Sequence, residues 1–175
     1  MKRAIALLEK HNLLKIISDE LDINLEIPHI AYVEVKRPDS KAILFTNVVD
    51  RKNSKKFKEP VLMNVFCNED AVKLFIGDGD KIGSEIESLL KLKPPVTFSE
   101  KLSTLGKLFS LKNTIPKKIK GKGVCQEVIK LGADAKLSDL PVIKTWEEDG
   151  GPFITMGQVY TQSLNGELKN LGMYR

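Results

Sequence analysis

The chain has 175 residues, of which 42% are hydrophobic and 29% charged, and its formal net charge is +5. This length and composition fit a globular protein with one complete core and the beginning of a second. Glu9 and Lys10 interrupt the N-terminal apolar residues, and no apolar run approaches the roughly 18 residues that a membrane span needs, so we expect neither a signal peptide nor a transmembrane segment. The two cysteines, Cys67 and Cys125, have no disulfide-framework or zinc-site spacing, and a reducing cytoplasm is the expected location.

The first residues predict a helix followed by a strand. In residues 2–11, Ile5 and Leu8 fall on one helical face, and Asn12 is a suitable end for the helix. The run LLKIIS at residues 13–18 is then typical of a short strand.

The alternation of helix and strand continues through the next segments. The stretch INLEIPHIAYVEVKR predicts a helix that tolerates Pro28 only in its first turn, because proline has no amide hydrogen for the later turns. The runs AILFTNV (42–48) and VLMNVF (61–66) are short and apolar, as expected for strands buried on both faces of a sheet. The predicted fold class is α/β (α+β).

A helix is also predicted after the second apolar run. Asn68 can cap it, with acidic residues in its first turn, and Gly77 can end it. We expect three of its residues to face inward: Ala71, Val72 and Phe75.

Another helix signal precedes a change in composition. Thr97 and Glu100 have the spacing of a capping box before a stripe of leucines. A lysine-rich stretch follows, and VCQEVIKL after it is interpreted as strand and turn. We predict an N-terminal α/β domain at residues 1–115, a linker at 116–123 and the start of a second domain at 124–175.

The basic stretch IPKKIKGKG has two interpretations that stay open. It carries four lysines: Lys117, Lys118, Lys120 and Lys122. They suit a solvated linker or a patch that contacts phosphate. Surfaces that bind nucleic acid usually add stacking aromatic residues, and none occurs between Phe109 and Trp146, which favours the linker.

Three sequence features suggest ion binding but lack the ligand residues or the spacing that it requires. A calcium-binding loop that begins at Asp78 in GDGDKIGSE (77–85) would need oxygen ligands at Ile82 and Leu89, and the glycines do not have Rossmann spacing, so a turn between helices is predicted. His11 and His29 lie in predicted helices without a metal partner three or four residues later. The acidic run at 147–149 is typical of a solvated loop before a Gly-Gly-Pro turn.

The C-terminal stretch predicts a hairpin. A two-residue type I′ turn at Asn165-Gly166 places Thr161 opposite Asn170. Alternation then gives the second strand two faces: Asn170, Gly172 and Tyr174 on one, and Leu171, Met173 and Arg175 on the other.

Two C-terminal blocks carry a family resemblance. DLPVIKTWEEDGGPFITMGQVYTQ and KNLGMYR are similar to the UbiD family of decarboxylases, which use prenylated FMN. The segments LLEKH, AILFTNV, VLMNVF and CQEVI follow that family's N-terminal pattern in order, so the resemblance spans essentially the whole chain. It implies an N-terminal α/β domain followed by the beginning of a split β-barrel that binds the flavin.

The resemblance also implies roles for the residues of NLGMYR. Asn170 matches the asparagine whose side-chain oxygen helps to hold a divalent metal, usually Mn2+, at the cofactor phosphate. Met173, Tyr174 and Arg175 match the run that contacts the prenylated FMN. Arg175 further matches the catalytic arginine that binds the substrate carboxylate. A planar guanidinium suits a carboxylate, and an amide oxygen suits a hard cation.

The activity implied is a reversible, non-oxidative decarboxylation of an aromatic or α,β-unsaturated acid. It would be of the 3-polyprenyl-4-hydroxybenzoate carboxy-lyase type, in ubiquinone or menaquinone biosynthesis. A flavin prenyltransferase would supply the cofactor, and no nucleic acid is involved. The full-length enzyme would be a homo-oligomer, peripheral to the membrane if its substrate is polyprenylated.

The family's other metal ligands, a histidine and a glutamate, and its acidic proton donor follow the arginine motif. We therefore expect the 175-residue chain to be inactive alone. Two alternatives stay open: a basic module that binds anions or nucleic acid, with steep salt dependence, and a non-catalytic assembly fragment, with a concentration-dependent mass. Neither explains EDGGPFIT and NLGMYR together.

Overall fold

The computed structural model describes residues 1–91 and 120–174. Tertiary contacts divide the chain into two compact units. One unit combines Met1–Gly77 with Lys136–Arg175, and the other is Asp78–Ala135. The first unit therefore joins two segments that are distant in the sequence.

The described part of the first unit contains both helices and strands. Its helices are α1 (Lys2–Lys10), α2 (Glu26–Val35) and α3 (Glu69–Ile76). Its strands are β1 (Leu14–Asp22), β2 (Ala42–Asp50), β3 (Lys55–Lys56), β4 (Val61–Met63), β5 (Gln158–Gln162) and β6 (Lys169–Met173). The predicted α+β class is confirmed, and the described strands do not close into a barrel.

Strand β2 is the centre of a mixed four-stranded sheet. Strand β1 pairs with β2 in parallel, with an irregularity between Ile17 and Glu20, while β3 and β4 pair with β2 antiparallel. Helix α2 lies in the connection between β1 and β2, because parallel neighbours need a crossover. The strand expected in AILFTNV is confirmed, whereas in VLMNVF only the first three residues form a strand, and only Val61 of them is buried.

The hydrophobic core surrounds β2. Four consecutive residues of this strand, 42–45, are buried, so both faces of the strand are covered as expected. The buried core cluster consists of Ile23, Ile27, Ile43, Phe45, Val48, Phe57, Val61 and Ile143. Its last member comes from the C-terminal segment.

The first two helices agree with their sequence signals. Leu8 of α1 is fully buried, and the chain leaves the helix at Asn12, which has a φ of 57°. Pro28 is the third residue of α2 and so lies in the first turn, where its missing amide hydrogen leaves no hydrogen bond unmade. None of the helices in the described ranges is both long and apolar enough to cross a membrane.

Helix α3 has the predicted cap but a narrower buried face. The side-chain oxygen of Asn68 accepts a hydrogen bond from the Ala71 amide at 2.9 Å. Ala71 is fully buried, whereas Val72 is exposed, so the expected inward position of Val72 is wrong. Phe75 is half-buried and meets Phe66 edge to face, with ring centroids 6.0 Å apart. The contact surface of α3 is thus limited to the side that carries Ala71 and Phe75.

The C-terminal segment completes the N-terminal core. Asn24 forms a parallel bridge with Lys144, and the amide of Lys144 donates to the Ile23 carbonyl at 3.1 Å. Ile143 is only 5% exposed. The segment thus adds a backbone connection beyond the end of β1 and an apolar side chain to the core.

Two side-chain contacts reinforce this attachment. The Lys55 ammonium donates to the Ser138 carbonyl at 2.6 Å and pairs with the Asp139 carboxylate at 3.0 Å. Tyr32 of α2 and Trp146 meet edge to face with ring centroids 5.4 Å apart. Attachment of the segment therefore involves β3 and α2 as well as β1.

The second unit differs from the sequence prediction. Helix α4 (Gly79–Leu90) begins at Asp78, whose carboxylate accepts from the amides of Asp80 and Lys81. Only the first two residues of GDGDKIGSE therefore form the expected turn between helices, and its remaining residues belong to α4. The run VCQEVIKL is not a strand; it begins with a 3-10 turn at Val124–Gln126, its apolar side chains are exposed, and none of the strands in residues 1–91 and 120–174 pairs with it.

Several sequence signals fall beyond the described ranges. The capping-box residues Thr97 and Glu100 lie outside them, as does most of the basic stretch. The division into residues 1–115, 116–123 and 124–175 stays a proposal, which limited proteolysis can test. Early cleavage at 116–123 would support it, and early cleavage inside β2 or β4 would contradict it.

Candidate functional site

The hairpin formed by β5 and β6 has the predicted register. Thr161 lies opposite Asn170, and Val159 lies opposite Gly172. A one-residue shift would move every side chain of β6 to the other face, so the register decides which residues act together.

The tip of the hairpin is a four-residue loop rather than a two-residue type I′ turn. The Gly166 amide donates to the Ser163 carbonyl at 2.9 Å, and the Ser163 amide donates to the Leu168 carbonyl at 2.9 Å. Gly166 has a φ of 76°, but Asn165 does not have the positive φ that a type I′ turn requires. The Ser163 hydroxyl contacts the Asn165 side chain at 2.6 Å and accepts from the Leu168 amide at 3.0 Å. The predicted register is nevertheless correct, because the loop is longer by the same number of residues on each side of Asn165-Gly166.

One face of β6 brings together an amide, a glycine and a phenol. The Asn170 side-chain nitrogen donates to the Tyr174 hydroxyl at 2.9 Å. A Cβ added to Gly172 would lie 2.6–2.8 Å from three atoms of the Tyr174 side chain. The Tyr174 ring therefore folds back over Gly172 and reaches Asn170, two residues further along the same face.

The remaining predicted site residues have different surroundings. Met173 is 75% exposed. Because side chains alternate along a strand, Met173 and Leu171 lie on the face opposite Asn170 and Tyr174. Arg175 lies outside the described residues, so its position beside Met173 stays a prediction.

Tyr174 also lines a large cleft, which the sequence interpretation missed. The cleft has a volume of about 810 Å³, and its walls are mainly apolar, with Phe57, Phe153 and Val159 among them. Polar side chains also reach it, including Asn53. This size and lining are typical of sites for small organic molecules. The signal for it was the GGPFIT block, in which the Phe153 amide donates to the Ile143 carbonyl at 3.1 Å.

The acidic run at 147–149 has a structural role. The Asp149 carboxylate accepts from the Trp146 amide at 3.0 Å, and the Lys144 ammonium donates to the Glu147 carbonyl at 2.7 Å. These local bonds agree with the predicted loop.

Across residues 1–91 and 120–174, no group of three or more histidine, cysteine or acidic side chains is placed to hold a metal ion.

A charged cluster connects the end of β1 with the start of α2 and the residue after β2. Glu26 accepts from the Asp22 amide at 2.8 Å and pairs with the Arg51 guanidinium. The Arg51 amide donates to the Asp22 carboxylate at 3.2 Å. The hydrogen bond from Arg51, together with that from the Asp22 backbone, lowers the pKa of Glu26 below its ordinary 4.5.

Burial raises the pKa of the Cys67 thiol, which therefore does not have the character of a reactive thiolate.

Asn170 has the right chemistry for one metal ligand. Because its amide nitrogen is bonded to Tyr174, its Oδ1 is the atom that a cation would contact. Amide oxygens are suitable ligands for hard divalent ions. A complete site needs several such donors, so Asn170 fits as a contributor to it.

Two family models match the chain. The 3-octaprenyl-4-hydroxybenzoate carboxy-lyase N-terminal domain matches residues 5–90, and the Rift-related domain of the same carboxy-lyase matches residues 117–175. The two matches together cover most of the chain. The chain belongs to the UbiD family.

Relatives of this UbiD-family chain are considerably longer. An uncharacterised protein of Helicobacter pylori (strain ATCC 700392 / 26695) is 43% identical over all of this chain and 29% of its own length. An uncharacterised protein of Aquifex aeolicus (strain VF5) is 37% identical over 96% of this chain and 34% of its own length. The UbiD chain thus spans about a third of these relatives, and its family points to decarboxylase-type chemistry.

Proposed function

We propose that this chain supplies the N-terminal domain and part of the flavin-binding domain of a prenylated-FMN-dependent decarboxylase. The observation that carries the proposal is the placement of residues 170–174 of the NLGMYR motif. Within a region that matches the UbiD family, residues 170–173 lie in β6, and Tyr174, which follows the strand, lines an apolar cleft of about 810 Å³.

Each residue of the motif has a proposed task. Asn170 provides an amide oxygen to Mn2+ at the cofactor phosphate. Tyr174 and Met173 contact the flavin, with Tyr174 on the cleft side. Arg175 binds the substrate carboxylate through its planar fork and orients it. When bound, the prenylated flavin supplies the electron sink for loss of CO2.

The apolar walls suit the uncharged part of an aromatic or α,β-unsaturated acid. Exclusion of water around a bound substrate would strengthen the attraction between the guanidinium and the carboxylate. We propose a substrate of the polyprenyl-hydroxybenzoate or menaquinone-precursor type, a cytoplasmic location and a homo-oligomeric full-length enzyme. A flavin prenyltransferase would supply the cofactor.

The proposal is tested in a protein extended through the family's remaining metal ligands and its acidic proton donor. CO2 release from candidate acids is measured with reconstituted cofactor. We expect Arg175→Ala to lower turnover by roughly 100-fold or more, because a donor aimed at the reacting group is removed. Arg175→Lys should restore little, since an ammonium does not reproduce the planar fork.

A matched control separates this loss from a folding defect. Lys169→Ala removes the exposed positive charge at the start of β6 and should retain activity. Thermal melts should coincide for all variants. Full activity of Arg175→Ala, or turnover by the 175-residue chain alone, would contradict the proposed mechanism.

A further inference from the structure

We infer that Tyr174 is a positioning residue for Asn170, and that Gly172 is the residue that allows it. The inference rests on the proposed function, because it concerns how Asn170 presents its oxygen to a divalent metal. It gives Tyr174 a task that is separate from contact with the flavin.

The amide of an asparagine needs an orienting partner to be a reliable ligand. Its terminal torsion is broad and nearly two-fold, so the oxygen and the nitrogen can exchange places. If they exchange, an NH2 group faces the cation instead of an oxygen. A hydroxyl can accept from Nδ2 or donate to Oδ1, and the structure has the first arrangement: Asn170 Nδ2 donates to the Tyr174 hydroxyl at 2.9 Å, so Oδ1 is the atom presented to a cation.

The cation and the phenol reinforce one another in this arrangement. A cation on Oδ1 polarises the amide and makes its N–H groups better donors. The Tyr174 hydroxyl has lone pairs to accept that bond. In the opposite orientation the phenol would donate to Oδ1 and compete with the metal for the same atom.

Gly172 is required for its lack of a side chain and not for unusual backbone freedom. Its φ is not positive, so any residue could adopt its strand conformation. A Cβ at this position would nevertheless lie 2.6 Å from Cε2 and 2.8 Å from Cζ and Oη of Tyr174. Alanine at 172 would therefore displace the ring and remove the bond to Asn170.

The first experiment tests the geometry in the 175-residue chain. Tyr174→Phe keeps the ring and loses the hydroxyl, while Gly172→Ala keeps the hydroxyl and moves the ring. We expect both to shift the side-chain amide NMR signals of Asn170. Tyr160→Phe, which removes an exposed hydroxyl from β5, should leave those signals unchanged. Unchanged Asn170 signals in Tyr174→Phe would overturn the inference.

The second experiment measures metal affinity in the extended protein. Mn2+ is titrated with saturating FMN, which carries the phosphate but cannot support turnover, and free Mn2+ is followed by its EPR signal. We expect Tyr174→Phe and Gly172→Ala each to weaken Mn2+ binding by about 10-fold, as is typical when the partner of a metal ligand is lost. Tyr160→Phe should bind like the unaltered protein.

The outcomes separate the inference from the proposed function. Equal Mn2+ affinity in Tyr174→Phe and the unaltered protein would overturn the positioning role and leave the proposed function standing. Absence of Mn2+ binding by the unaltered extended protein would overturn both the metal role of Asn170 and this inference. A role of Tyr174 in flavin contact alone would leave Mn2+ affinity unchanged, because phenylalanine preserves the ring.

Discussion

The central sheet and the C-terminal hairpin belong to the same compact unit but are stabilised in different ways. Strand β2 buries four consecutive side chains, whereas every residue of β5 is exposed, and in β6 only Gly172 is partly buried. The sheet depends on apolar packing, and the hairpin depends on its backbone pairing and on the hydrogen bonds of its loop. Side chains in the sheet are committed to the core, while those of the hairpin remain accessible to a ligand.

The largest effect should come from the centre of the sheet. Phe45→Ala removes a fully buried aromatic side chain and should lower the free energy of unfolding by about 3–5 kcal/mol. Urea unfolding followed by circular dichroism measures it. Tyr160→Ala, in the exposed strand β5, should change it by less than about 1 kcal/mol. Similar losses in both variants would contradict the difference between the two regions.

A second variant tests whether the C-terminal segment shares the core of the sheet. Ile143→Ala should cost about 2–4 kcal/mol, because the side chain is almost completely buried in the core cluster. Ile154→Ala removes the same atoms from a half-exposed position and should cost less than about 1 kcal/mol. A fragment of residues 1–115 as stable as the whole chain would show that Ile143 is dispensable.

A substitution in the hairpin loop should destabilise the hairpin and leave the central sheet unchanged. Gly166→Ala forces a side-chain-bearing residue into a φ of 76° and should destabilise the hairpin by about 1 kcal/mol. The added Cβ meets only the end of the flexible Gln162 side chain, so steric strain adds little. Amide hydrogen exchange should accelerate in β5 and β6 and stay unchanged in β2. Faster exchange in β2 would mean that the two regions unfold together.

The smallest effect concerns pH and the Glu26 cluster. Because the folded chain lowers the pKa of Glu26 below 4.5, its stabilisation is present above that pH and is lost as the pH falls through the lower folded-state value. Glu26→Gln should therefore reduce stability at neutral pH and weaken the acid dependence of unfolding. Urea titrations between about pH 7 and pH 3 measure both. Glu148→Gln removes the same charge from an exposed loop and should leave the acid dependence unchanged.

Local features could be predicted from the sequence because their signals are local. The cap at Asn68 and the limits of α1 follow from neighbouring residues, and the hairpin register follows from a symmetric loop around Asn165-Gly166. The loop type was wrong because the side chains of Ser163 and Asn165 bond to each other and to the loop backbone, which turn statistics for Asn-Gly do not include.

Long-range features could not be predicted from the same information. No pattern near Ile143 indicates that it enters a core built from residues 23–61, and the cleft beside Tyr174 exists only because these distant segments meet. The run VCQEVIKL has β-favouring residues, but a strand also needs a partner, and the sequence does not reveal whether one is present. Of the candidate site, the shared face of Asn170 and Tyr174 was predictable from alternation, whereas the bond between them was not.

The bridge between Asn24 and Lys144 also bears on how the protein is made. The two residues are about 120 positions apart, so a ribosome adding roughly 5–20 residues per second needs about 6–24 s to pass from one to the other. During that time the nascent sheet lacks Ile143 and exposes the apolar surface that this residue later covers. Translation speed between these codons therefore sets how long the nascent chain is open to chaperones and to aggregation.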